Sequence, residues 1–103
     1  MVKINGQEYG LFYSVRAHCR YDDYIVANQN VSITRAIIQK AIIMSEAYCK
    51  LHGGKPLKSD DIMDLPNAEF STLMKAVAEQ EAIDSRIEIE TESAEKNQVS
   101  GDQ

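Results

Sequence analysis

Between Ser32 and the Gly53-Gly54 pair lies an unbroken stretch, ITRAIIQKAIIMSEAYCKLH, without proline or glycine. A serine hydroxyl can accept the free N–H groups at a helix start, and a glycine can take the left-handed turn that ends one. Lys50 and His52 complement the carbonyl end. The spacing therefore predicts a helix over residues 33–51. Ile33, Ile37, Met44, Tyr48 and Leu51 recur on one face, while Ile38, Ile42 and Cys49 form a second stripe displaced by more than a quarter turn. One stripe suffices for a surface helix. Two stripes mean a helix that is central to its own domain, or covered on one side by a second copy or a partner.

The rest of the chain must fit around this helix. VKINGQEYGLFYS has strand-like residues on either side of Asn5-Gly6, the dipeptide that best tolerates a two-residue hairpin turn, so strands are predicted at 2–4 and 7–13. Gly10 interrupts the second run and suggests a bulge or bend. Ser14 can cap a helix over 15–23, with Val15 and Cys19 on one face, and Asn28, Gln29 and Asn30 form the break before Ser32. Beyond GGKPLK, Ser59 with Asp60 and Asp61 marks a short helix over 60–65. A last helix is predicted over 66–86, with Phe70, Leu73, Met74 and Val77 on its apolar stripe and Glu81 where that stripe would continue. Ile87 and Ile89 alternate with glutamates, which suggests a short edge strand at 87–92. The fold expected is α+β and mainly α: an N-terminal hairpin, then three to four helices in a single domain over 1–90. Residues 91–103 have too few apolar side chains to fold and are expected to be a disordered acidic tail.

Among 103 residues there is no apolar run of the roughly 20 needed to cross a bilayer, and the opening residues lack the layout of a signal peptide. A cytosolic protein without membrane contact is expected. Cys19 and Cys49 are too few for a disulfide framework and are read as small buried apolar residues. His18 beside Cys19, and His52 three residues after Cys49, are potential zinc ligands, but the set lacks the two short pairs of a structural site. Asp22, Asp23, Asp60, Asp61 and Asp64 read as helix-end residues rather than acid–base groups. Gly53-Gly54-Lys55 follows a helix instead of opening one, the wrong order for a phosphate cradle. No catalytic, cofactor or metal role is assigned, and the chain is expected not to be an enzyme.

Charge is distributed in two ends. Residues 1–58 carry eight Lys/Arg against four Asp/Glu, and residues 59–103 carry three against twelve, giving the net −5 of the whole. The cations of the first half are dispersed rather than clustered, which argues against nucleic acid as a partner. The two ends can pair within one chain, or head to tail between copies, and the latter contact would weaken with salt.

Taken in order, VKINGQEYGLFYSVRAHCRYDDY, SITRAIIQKAIIMSEAY and LKSDDIMDLPNAEFSTLMKAV resemble the tail assembly chaperones of long-tailed bacteriophages and prophages of Gram-positive bacteria. The resemblance covers residues 2–86. It implies a small protein of the infected host's cytoplasm that coats and solubilises the tape measure protein, associates with itself, recruits tail tube subunits, and is absent from the mature virion. A carrier of a long apolar helix needs modest apolar contacts from many copies. On that footing Ile38, Ile42, Tyr48 and Cys49 are the candidate partner-binding residues. Two alternatives stand beside it: a small helical nucleic-acid-associated regulator, and a head–tail joining protein of the virion.

Overall fold

The computed structural model describes the backbone of residues 1–100 and the side chains of residues 1–85. It is mainly helical, with an N-terminal two-stranded antiparallel hairpin and four helices. Strands β1 (Val2–Ile4) and β2 (Gln7–Tyr9) pair Val2 with Tyr9 and Ile4 with Gln7. Asn5 and Gly6 have φ of 53° and 80°, the two left-handed residues that a type I′ turn requires. The second strand is shorter than predicted. Tyr9 already faces the first residue of β1, so the chain beyond it has no strand to pair with, and Phe12 instead donates its N–H to the Met44 carbonyl at 3.0 Å. Gly10 is neither bulge nor turn: a Cβ there would run into the Tyr48 ring, so glycine is what lets this segment lie flat on the long helix.

Helix α1 (Val15–Ala27) starts on Ser14, whose hydroxyl accepts the Ala17 N–H, and runs four residues beyond the predicted end. Tyr24 and Ile25 are half-buried and prolong it past the two aspartates. It stops at Asn28, whose side-chain amide donates to the Tyr24 carbonyl at 2.9 Å. Helix α2 (Ile33–His52) has the predicted caps, Ser32 accepting the Arg35 N–H and Gly53 at φ 78°. Helix α3 (Ser59–Met63) is held at its start by Asp61, which accepts the Lys58 N–H at 2.9 Å. Helix α4 (Asn67–Ser100) takes in residues 87–92, so the predicted edge strand there is corrected to helix. From residue 67 to residue 100 the sequence has no glycine or proline, and its many Glu, Ala, Gln and Lys residues favour helix over strand. The segment expected to be a disordered tail lies in that helix as far as Ser100, and residues 101–103 lie outside the described residues.

The core is a single cluster in which Val2, Ile4 and Leu11 meet Ile38, Ala41 and Met44 of α2, Leu57 and Ile62, and Phe70, Leu73 and Val77 of α4. Met44, Leu57 and Leu73 are fully enclosed, each worth about 1.5–3 kcal/mol of burial. Ser45 is the buried polar residue here, and its hydroxyl accepts the Leu57 N–H at 2.8 Å, tying the 53–58 loop back along α2. Where the apolar stripe of α4 gives out at Glu81, its carboxylate meets the Lys40 ammonium at 2.7 Å. The acidic half of the chain thus does pack on the basic half at this point.

Candidate partner-binding groove

α1 and α2 form a helical pair whose inner faces are unequal. α2 buries Ala36, Ile38, Ala41, Ile43, Met44 and Ser45, whereas α1 buries only Ala17. The predicted stripe of α1 faces the other way: Val15 is 81% exposed and Cys19 is exposed, because a small alanine is what permits close approach to α2. Cys19 is therefore not a core residue. Ile33 and Leu51, assigned to the main stripe of α2, are likewise exposed at its two ends, beyond the reach of the elements that cover its middle.

Ala17 is the one α1 residue fully buried, and an opening remains between the start of α1 and the end of α2. The opening is a groove of about 320 Å³, with Phe12, Ala17, Ala47 and Leu51 among its apolar lining. Phe12 is half-buried on its wall and Leu51, 64% exposed, stands at its lip. The rim is basic. Arg16, Arg20 and Lys50 surround it with Glu46 as their one acidic neighbour, and Glu46 is engaged by Arg20 at 2.7 Å. Long cationic side chains can lay their stems along an apolar surface while the charge stays in water, so this groove suits an apolar side chain flanked by acids.

The four residues expected to bind a partner are not gathered on one surface. Ile38 is 6% exposed and belongs to the core cluster, and Ile42 packs half-buried against it. Tyr48 lies half-buried beneath Gly10, its ring centroid 4.4 Å from that of His52. Cys49 is half-buried and lines, with Tyr48 and His52, a second opening of about 310 Å³ beside the hairpin. Sequence periodicity does not mark the first groove: Leu51 falls on the same helical stripe as Met44, and Phe12, on an extended segment, has no periodic signature. Arg16, Arg20 and Lys50 look dispersed in sequence and converge only when α1 folds back on α2.

Behind the groove the 10–14 segment is fastened to the other helices. Tyr13 donates its N–H to Asp84 Oδ2 at 2.7 Å, and the Lys40 ammonium lies over the rings of Tyr13 and Tyr21 at 5.3 and 4.5 Å. Burial first, then the carboxylates of Glu81 and Asp22 and the neighbouring Tyr21, push the Tyr13 phenol up to about 12. Burial, with a smaller contribution from Asp61, also raises the Tyr9 phenol. Among the described residues no group of three or more His, Cys, Asp or Glu is placed to hold a metal ion, and no helix is long and apolar enough to cross a membrane. Compared with known proteins, the chain matches no family model, no curated protein and no solved structure.

Proposed function

We propose that this chain is a phage tail assembly chaperone, a non-enzymatic carrier that keeps the tape measure protein soluble in the bacterial cytoplasm and helps recruit tail tube subunits before leaving the finished particle. The observation that carries the reading is the basic-rimmed apolar groove with Phe12 and Leu51 at its surface. Joined to the family resemblance over residues 2–86, it supplies what a carrier needs: a shallow apolar seat, repeated once per copy, for successive turns of an amphipathic client helix. Apolar contacts at one such seat are modest, and many copies along one client make the assembly stable.

Co-expression with the tape measure protein of the same phage, followed by size-exclusion chromatography with light scattering, tests it. The client is expected to stay soluble and to elute with many copies of the chaperone, and Leu51→Ser or Phe12→Ala should release it while circular dichroism stays helical. Precipitation of the client beside an unbound wild-type chaperone overturns the reading. Mass spectrometry of purified virions is expected to lack this chain, and its presence there would favour a head–tail joining role.

A further inference from the structure

The groove is open in the isolated chain, and its chemistry matches a part of the chain's own sequence. Its rim holds three cations against one carboxylate, and that carboxylate is already engaged by Arg20. Residues 86–103 carry two basic residues against five acidic ones, and Ile87 and Ile89 stand among Glu88, Glu90 and Glu92. An apolar seat ringed by cations and an isoleucine flanked by glutamates, Ile87 or Ile89 since the two fall on opposite faces of a helix, are complementary in both respects.

We propose that in the client-free protein the groove is occupied by the acidic C-terminal segment of a second copy of this chain, which the client then displaces. The proposal rests on the groove assigned above as the client's seat. The occupant comes from another copy because α4 is tied down before the segment starts: Glu81 is held by Lys40 at 2.7 Å and Asp84 by the Tyr13 N–H at 2.7 Å, five and two residues ahead of residue 86. The groove lies beside that anchorage, between the start of α1, the end of α2, and Phe12 and Ser14 on either side of Tyr13. From Asp84 the helix continues to Ser100 with no glycine or proline at which it could fold back. Head-to-tail use of two different surfaces lets the association extend beyond a pair, a suitable starting point for coating a long client.

The test uses the full chain without client. Light scattering at low salt should give an average mass above the 11.6 kDa of one chain, rising with concentration. Raising salt from about 0.1 M to about 1 M shortens the screening length from roughly 10 Å to roughly 3 Å and should weaken association about tenfold or more. Arg16→Glu with Lys50→Glu should hold the protein monomeric, as should the separate variant Glu88→Lys, Glu90→Lys, Glu92→Lys. Mixing these two variants in equal amounts should restore association, since each then offers the charge the other lacks. Arg16 and Lys50 are exposed, so their reversal leaves the fold intact, which circular dichroism verifies. A wild-type chain that stays monomeric at low salt overturns the proposal, as does association indifferent to the rim reversal. A salt-dependent change at Phe12 with constant mass would place the segment in its own groove and overturn the trans arrangement. Because no client is present, none of these outcomes bears on whether the tape measure protein binds.

Discussion

On the flank of α2 that meets the hairpin, α3 and α4, Met44, Leu57 and Leu73 are wholly enclosed, whereas on the flank that meets α1 the one side chain α1 buries is Ala17. The first flank is closed by long apolar side chains arriving from four separate pieces of chain, so each fills space left by the others. The second is a two-helix contact in which α1 contributes Ala17 as its buried residue and Tyr21, Tyr24 and Ile25 only half-buried. Stability is concentrated on the first flank. The second retains an unfilled groove and exposed Val15 and Leu51, surfaces on which little of the core depends.

The strongest way to break this comparison is to shorten a leucine on each flank. Leu73→Ala removes a fully buried side chain and should cost about 2–5 kcal/mol, a large part of what a chain this small has. Leu51→Ala, on the groove's lip, should change stability by less than about 0.5 kcal/mol. Urea unfolding of both variants measures the difference, and equal losses would mean that the groove is structural. Smaller, and confined to the first flank, is the effect of Ser45→Ala. It leaves the buried Leu57 N–H without its acceptor and should cost about 1–3 kcal/mol, with faster hydrogen exchange at Leu57 as the local signature.

What could be read from sequence is what depends on neighbours along the chain. The Asn5-Gly6 turn, the serine caps at Ser14 and Ser32, and the stop at Gly53 are all decided within a few residues, and each stands where the pattern places it. Which face of a helix turns inward is decided by what arrives from elsewhere. Val15 and Cys19 are more apolar than their inward neighbour Ala17, yet only Ala17 is small enough for the approach to α2. Ile38 and Ile42 looked surplus because the hairpin and α4, which cover them, are remote in sequence. The same holds for Gly10, whose reason is the Tyr48 ring, and for the three rim cations, which are scattered along the chain and meet only in the fold. At 87–92 two periodicities competed, and the alternation of two isoleucines was too short to outweigh a helix already running from Asn67 without a breaker.

The two flanks are joined at Tyr13, where the 10–14 segment touches Lys40 of α2, the ring of His18 in α1 and Asp84 of α4. Its phenol is pushed up to about 12 in the folded chain, against about 10 when the chain is unfolded. Below pH 10 the phenol is neutral in both states and the full stabilisation is present. As pH rises from 10 towards 12 the unfolded chain gives up this proton first, so it binds fewer protons than the native state and unfolding becomes easier. Past 12 the contribution is gone. The difference between wild type and Tyr13→Phe isolates the contribution of this phenol. A phenolate absorbance titration of the wild type should show a late-ionising step that Tyr13→Phe lacks, and the fall of the thermal midpoint between pH 10 and 12 should be shallower in the variant. Since Tyr13 is only half-buried, the effect is expected to be the smallest of the three. If α1 is the weaker flank, it should come loose first on that alkaline limb: amide protection in α1 falling ahead of α4 sustains the comparison, and simultaneous loss in both helices would show that the seam at Tyr13 binds them into one cooperative unit.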